Sequence, residues 1–263
     1  MAVFYDQLKR KIELPQVPTS IISVVPSQTE LLFYLGLDEE VVGITKFCIH
    51  PADKFKSTIK IGGTKQLNIE LIKELKPDLI IANKEENDQS QIEALTTLCP
   101  VWISDISNLD KAYDMILTVG GLVDRKSQAQ SLVVDIKHQF KLFITPSLHF
   151  KTAYLIWRKP YMVAGRHTFI DDMLQKCGLI NVFNSDRYPE VTPEMLIAAN
   201  PEVVLLSSEP YPFTQKHVDD FKTLLPNATV ILVDGEIFSW YGSRLLHGPA
   251  YFRRLIENIT PKQ

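Results

Sequence analysis

Carboxylates, aromatic rings and sulfur mark the positions at which this chain has the means to do chemistry. Glu85 and Glu209 each come shortly after an apolar run, DLIIA and EVVLLS, so each carboxylate stands near the end of a buried strand. Two carboxylates flanking a bond are what glycoside hydrolysis requires, but spacing along the chain does not fix their separation in space. Cys48 and His50, in FCIHP, are suitable ligands for iron, cobalt or zinc, yet two donors do not complete a coordination shell. Pro26-Ser27 is not a GxSxG elbow, Gly62-Gly63-Thr64-Lys65 lacks the rest of a phosphate-binding loop, and no GxGxxG follows the first strand. Cys48, Cys99 and Cys177 are too scattered for a disulfide framework or a zinc ribbon. The sequence therefore predicts no catalytic residue, no metal ligand and no resident cofactor.

Binding is the better-supported chemistry. Ligands of parallel α/β sheets sit outside the carboxyl ends of the strands. The residues that follow the predicted strands include Ser27, Phe47, Lys84, Glu85, Tyr161, Glu209, Tyr211, Phe238, Trp240 and Tyr241, and these are the candidate ligand-binding residues. Large planar side chains give much apolar contact at little entropic cost, so the expected solute is large and partly apolar, with Lys84, Glu85 and Glu209 supplying polar contacts at the rim. Trp240 and Tyr241 lie in DGEIFSWYGS, which is too polar and too rich in turn residues for a strand interior.

The elements that position these residues follow one grammar twice. Ile21 to Val25 is a short strand, and TELLFYLGL is a helix capped by Ser27 or Thr29 and ended by Gly36. Val41 to Ile44, DLIIA and PVWISD are further strands, separated by the helices LNIELIKELKP and QSQIEALTTLC. After residue 150 the alternation returns: Ala153 to Trp157, the helix FIDDMLQKCGL, the helix TPEMLIAANP, and the strands EVVLLS and TVILVD. A C-terminal helix around SRLLHGPAYFRRLIENI should be bent or interrupted at Gly248-Pro249. Strands alternating with helices mean parallel sheets covered by helices.

The second half repeats the first in detail. At an offset of 124, Glu70 aligns with Glu194, Pro77 with Pro201, Asp78 with Glu202 and Glu85 with Glu209. A duplicated α/β lobe is the simplest cause. The predicted organisation is an N-terminal lobe over 1–108, a helical linker over 109–143 and a C-terminal lobe over 144–263, with the solute in the cleft between the lobes. Within the linker, Asn108 caps a first part, Gly120-Gly121 mark a break, and Asp124 caps a second part that runs to Phe140.

The chain has 263 residues, 45% of them apolar, and a net charge of -3, from 31 acids and 28 bases. That composition excludes disorder as the main state and argues against a protein that wraps nucleic acid, which needs a concentrated basic face. Asp6, Lys9, Arg10, Lys11 and Glu13 interrupt the start where a secretory peptide has its apolar stretch, and no run is apolar enough to span a membrane. A start native at Met1 implies a cytoplasmic protein; a role in import implies the periplasm or cell envelope.

The phrases IISVVPSQTELLFYLGLDEEVVGIT, KIGGTKQLNIELIKELKPDLIIANKEEN, YMVAGRHTFIDDMLQKCGLINVF and YPEVTPEMLIAANPEVVLLSSEPYPF together resemble the ABC-transporter solute-binding proteins that receive cobalamin, iron siderophores and haem. Their opening and SSEPYPF look most similar to the cobalamin-binding members. The resemblance implies two Rossmann-like lobes joined by one long linker helix. It also implies a non-enzymatic receptor for cobalamin or another metal chelate, which delivers its solute to an ABC permease dimer with its ATPase and touches the membrane only through that transporter. By the same resemblance Glu70 in LNIELI and Glu194 in TPEMLI dock the permease. A ferric siderophore or haem receptor is the alternative within the family, and an intracellular enzyme or sensor reusing the fold is the alternative outside it.

Overall fold

The computed structural model describes residues 2–260, and the chain divides into two compact units. The first holds the residues up to Ile106, Asp110–Lys137 and Trp240–Arg244; the second holds Ser107–Leu109, His138–Ser239 and the residues from Leu245 onward.

The first unit opens on a hairpin of β1 (Ala2–Tyr5) and β2 (Lys11–Leu14), which the sequence reading did not foresee. There follow β3 (Ile21–Ser23), α1 (Pro26–Tyr34), β4 (Val41–Ile44), α2 (Ala52–Ser57), β5 (Ile59–Lys60), the small ladder of β6 (Gly62–Gly63) and β7 (Gln66–Leu67), α3 (Ile69–Leu75), β8 (Leu79–Asn83), α4 (Gln89–Leu95), β9 (Val101–Ser104), α5 (Leu109–Leu122) and α6 (Lys126–Leu142). The main sheet has the order β5-β4-β3-β8-β9 and every pairing in it is parallel. Its inner strands β3 and β8 are buried at every position, which is why they read as unbroken apolar runs. The hairpin closes the open side of β9. Gln7 donates its backbone N–H to the Ile103 carbonyl at 3.1 Å, the Trp102 indole donates to the Tyr5 carbonyl at 3.3 Å, and Arg10, held by Asp6, donates to the Val101 carbonyl at 2.9 Å. A sheet edge covered in this way is withdrawn from pairing with other chains.

The second unit contains β10 (Lys151–Trp157), β11 (Tyr161–Val163), α7 (Phe169–Lys176), β12 (Ile180–Asn181), β13 (Glu190–Val191), α8 (Pro193–Ala199), β14 (Val203–Ser207), α9 (Gln215–Leu224), β15 (Thr229–Val233), α10 (Gly235–Ser239) and α11 (Gly248–Ile259). Its strand order is β13-β11-β10-β14-β15, with β12 pairing β10 in parallel. The parallel triple β10-β14-β15 reproduces β3-β8-β9 of the first unit, and the predicted duplication extends to backbone detail. Lys76 and Asn200, which correspond at the 124 offset, both end their helices in the left-handed region, at φ 47° and 44°. Asp78 accepts the backbone N–H groups of Thr19 and Ser20 at 2.9 and 3.1 Å, and its counterpart Glu202 accepts that of Lys151 at 2.8 Å. In each unit the carboxylate at the strand start thus ties down the strand beside it.

The α/β architecture of two lobes with parallel strands, joined through long helices, is the one expected. Within the joining helices α5 and α6, Gly120 and Gly121 do not form the break; α5 passes through them to Leu122, and the turn comes at Asp124, at φ 54°. The glycines serve packing instead. A Cβ on Gly120 would stand 2.3 Å from the Ala129 Cβ and 3.1 Å from the Arg125 carbonyl oxygen, so α6 approaches α5 as closely as it does only because the side chain is missing. Pro249 lies at the start of α11, where its absent N–H leaves no hydrogen bond unmade, and a short 3-10 turn at Ser243–Leu246 precedes it. The helices α2, α9 and α10 were not anticipated. Among the described residues no helix is long and apolar enough to cross a membrane.

Gly120→Ala tests the packing of α5 on α6. Alanine gains roughly 1 kcal/mol over glycine inside a helix, but a contact at 2.3 Å forces the helices apart and overpacking costs about 1–3 kcal/mol. The expected result is a lower urea midpoint at unchanged slope.

Candidate functional site

In the first unit the loops after the strands gather Ser27, Phe47, Lys84 and Glu85, and the unit also contains Trp240 and Tyr241. Phe47 is half exposed and its neighbour Lys46 lies over the ring, 5.2 Å from the centroid. Lys84 pairs with Asp105 at 3.0 Å. The Glu85 backbone N–H is held by the Asn83 side chain at 2.8 Å, while the Lys65 ammonium donates to the Glu85 carbonyl at 2.6 Å. Ser27 is buried in the first turn of α1; its Oγ and the Oε1 of Gln28 are buried atoms without a protein partner.

Residues 240–244 arrive here from the far end of the chain, and three contacts fasten them. The Tyr241 hydroxyl donates to Glu86 at 2.9 Å. The Trp240 ring makes an edge-to-face contact with His50, at 5.5 Å between centroids, and carries the Arg244 guanidinium 4.8 Å from its own centroid. Arg244 in turn donates two hydrogen bonds to Glu30, at 2.7 and 3.0 Å. Trp240 and Tyr241 are consequently only 5% and 6% exposed. Glu30 and Arg244 carried no signal in the sequence, and His50 stood out there only beside Cys48 as half of an incomplete metal site, because each acquires its role here through partners distant in the chain.

Tyr161, Glu209, Tyr211 and Phe238 belong to the second unit. Tyr161 is a strand residue, at the start of β11, with its ring 5.3 Å from that of Phe221. Glu209 accepts the Ser239 hydroxyl at 2.9 Å. Gly235 makes that approach possible, since a Cβ there would fall 2.4 Å from the Ser207 Oγ and 2.7 Å from the Glu209 Cγ. Tyr211 lies between Trp157 and Phe213, with ring centroids at 5.6 and 4.8 Å. Phe238 has no exposed surface; it lies in α10 and packs against Tyr154, Tyr251 and Phe252. The DGEIFSWYGS segment is therefore a helix followed by a fastened strap, where the sequence reading had an open turn.

Glu85 and Glu209 fall in different units. Cys48 is buried, with the hydroxyls of Thr29 and Thr45 each 3.1 Å from its sulfur, and burial pushes its thiol up to about 11. A thiol so far from ionisation is a poor nucleophile and a poor metal ligand at neutral pH. Among the described residues no cluster of three or more His, Cys, Asp or Glu side chains is arranged to hold a metal ion. Glu70 and Glu194 lie in the first turns of α3 and α8, and both are exposed.

Residues 21–224, spanning most of both units, match the model of a family described as periplasmic binding protein. The chain belongs to that family. The binding protein is 25% identical over 225 residues to a vitamin B12-binding protein of Yersinia pestis (strain Pestoides F), covering 83% of this chain and 78% of the relative. Its fold matches a periplasmic heme-binding protein from Pseudomonas aeruginosa with a TM-score of 0.80 at 19% identity, over 94% of this chain and 95% of the other. It also matches a molybdate periplasmic binding protein of Haemophilus influenzae with a TM-score of 0.82 at 16% identity, over 98% of this chain and 92% of the other. Structural likeness at these identities speaks for the fold alone. Membership of a family of binding proteins agrees with the non-enzymatic reading of the sequence.

The strap of residues 240–244 gives a direct test. Glu30→Gln leaves the Arg244 guanidinium with weaker acceptors and is expected to cost about 1–3 kcal/mol, the worth of a hydrogen bond to a charged group. In a Trp157→Phe background the remaining tryptophans are Trp240 and the fully buried Trp102; acrylamide quenching should rise as the strap loosens, and an unchanged quenching constant would show that the ion pair does not hold it.

Proposed function

We propose that this periplasmic binding protein is a receptor for a metal chelate, foremost a corrinoid of the cobalamin class, which it binds on the strand-end loops and delivers to an ABC importer outside the cytoplasmic membrane. The observation that carries the reading is apolar surface exposed at strand ends in both units: Phe47 at 51% and Ile49 at 44% in the first, Trp157 at 37% in the second. Large apolar side chains left open at such positions suit a broad, weakly charged solute. The polar groups nearby support the same choice. Lys84 and Arg158 are already held by Asp105 and Asp220, whereas a small oxyanion or an anionic siderophore complex calls for cationic side chains directed at the solute. The similarity to a vitamin B12-binding protein adds weight in the same direction. Haem and ferric siderophores are the second reading, favoured by the aromatic content of the strand-end loops, and an intracellular sensor built on the fold is the third.

On this reading Glu70 and Glu194 dock a two-fold permease dimer, one acid from each lobe. They support it by equivalent placement at the 124 offset, each in the first turn of a helix, where a carboxylate is favoured. Their surroundings differ. Glu70 pairs with Lys73 at 2.8 Å, while the Thr192 side chain holds the Glu194 carboxyl below the usual carboxylate range.

Calorimetric titration with cyanocobalamin, haem, a ferric siderophore panel and molybdate ranks the solutes. Cyanocobalamin is expected to bind with a Kd below about 10 µM, and absence of binding at that level removes the corrinoid reading. Glu70→Arg and Glu194→Arg are expected to change solute affinity by less than about twofold while weakening association with the reconstituted importer about tenfold or more. A large loss of solute binding in either variant would place that acid at the solute instead.

A further inference from the structure

Beside Tyr211 the second unit holds a buried polar network that the function proposed above does not use. His217, in the first turn of α9, is 7% exposed. It occupies the third helical position of a capping box: the Thr214 side chain accepts the His217 backbone N–H, and the imidazole Nδ1 accepts the Thr214 backbone N–H at 2.8 Å. A neutral imidazole carries one N–H, so an Nδ1 that accepts places the proton on Nε2. That Nε2 faces the Tyr211 hydroxyl at 3.4 Å. The Arg158 guanidinium, nearby, is held by Asp220 at 2.8 Å. With Nε2–H as the donor, the tyrosine oxygen is the acceptor of the contact with His217, and its own proton remains to be given to another group.

We propose that His217 is a positioning residue for Tyr211: as the Nε2–H tautomer it fixes a tyrosine hydroxyl that donates to an acceptor oxygen of the solute, and protonation of His217 releases that tyrosine. The proposal rests on the reading that the strand-end loops of the second unit hold the solute. Carboxamide and carboxylate side arms of a tetrapyrrole have the acceptor chemistry required, as do siderophore carbonyls.

Protonation disrupts the arrangement for a geometric reason. A proton on Nδ1 would face the Thr214 N–H at 2.8 Å, so the cap must open, and the new cation would lie beside Arg158. The charged and titratable groups around the ring are Arg158 from the end of β10, Lys216 and Asp220 from α9, and Tyr211 from the loop after β14. Burial first, then Arg158, holds the imidazole below its usual 6.5, and Asp220 opposes them. A depressed histidine binds its proton more readily once the network is open. The closed network is therefore fully favoured above the ordinary histidine value and is lost as the pH falls below it.

The test uses the full chain. Carbon NMR with Cζ-labelled tyrosine, the Tyr211 signal assigned through Tyr211→Phe, follows the phenol from about pH 8 to about pH 5, while nitrogen NMR reads the imidazole over the same range. At neutral pH the proton should be on Nε2, and the Tyr211 signal should move with the titration of His217. His217→Gln keeps the capping box, since glutamine at this position also reaches back to the cap N–H, but does not titrate; in that variant the Tyr211 signal should stay still. Cyanocobalamin affinity in the wild type should fall about tenfold between about pH 7.5 and pH 5, the worth of one hydrogen bond, and by less than about twofold in His217→Gln. A proton on Nδ1 at neutral pH, a Tyr211 signal indifferent to His217, or a wild-type pH profile in His217→Gln overturns the proposal. Failure of cyanocobalamin to bind the wild type at any pH overturns the corrinoid reading instead, and the NMR result decides the coupling of His217 to Tyr211 on its own.

Discussion

A parallel strand covered on both faces has no side chain free for anything but the core, and the placement of every candidate site residue descends from that constraint. β8 and β14 are buried at all five positions each. Function is then confined to what comes just before such strands and what comes just after. Before them stand short helices whose first turns are exposed and carry Glu70 and Glu194; after them come loops that carry Lys84, Glu85, Glu209 and Tyr211. Each of these helices runs back along its unit before leading into its strand, so its first turn lies toward the strand ends: Asn68, which caps α3, donates its backbone N–H to the Ile61 carbonyl, and Ile61 donates to that of Ile44 at the end of β4.

Duplication kept the skeleton and released the side chains. The residues equivalent at the 124 offset include the left-handed helix ends Lys76 and Asn200 and the strand-tying acids Asp78 and Glu202, all of which serve the backbone. Where the backbone does not constrain them, the halves have diverged: Lys73 beside Glu70 corresponds to Ile197, which is half exposed near Glu194. Like acids in like places thus sit in unlike fields. Lys73 offsets part of the charge of Glu70, while the acid of the second unit is flanked by apolar surface from Met195 and Ile197.

The parts of the fold that were legible in the sequence are those set by local rules. Buried strands appear as apolar runs, helix ends are marked at Pro77, Gly36 and Gly178, and internal repetition shows in the alignment of the halves. The N-terminal hairpin was not legible, because its first strand is mostly exposed and has no apolar alternation to betray it. The candidate site was legible as a set of strand-end loops but not as a geometry. Phe238, Trp240 and Tyr241 are adjacent aromatics in a polar segment, yet Phe238 belongs to the core of the second unit while Trp240 and Tyr241 belong to the first. Nothing local distinguishes them. The ion pair that decides the matter joins Glu30 to Arg244 across 214 residues.

The two units brace their strand-end aromatics by different chemistry, and the difference has consequences for control. In the first, a guanidinium lies over Trp240 and is gripped by the carboxylate of Glu30. A guanidinium keeps its charge at every pH a cell meets, so this brace does not respond to mild acid while its carboxylate stays ionised. In the second, an imidazole replaces the permanent cation at the point of contact, and the permanent cation, Arg158, stands one step further out. An imidazole can give up its role within a narrow range of pH. The aromatic surface of one unit is thus fixed and that of the other is conditional. A receptor that must hold its solute in one setting and yield it in another needs only one of its two faces to let go.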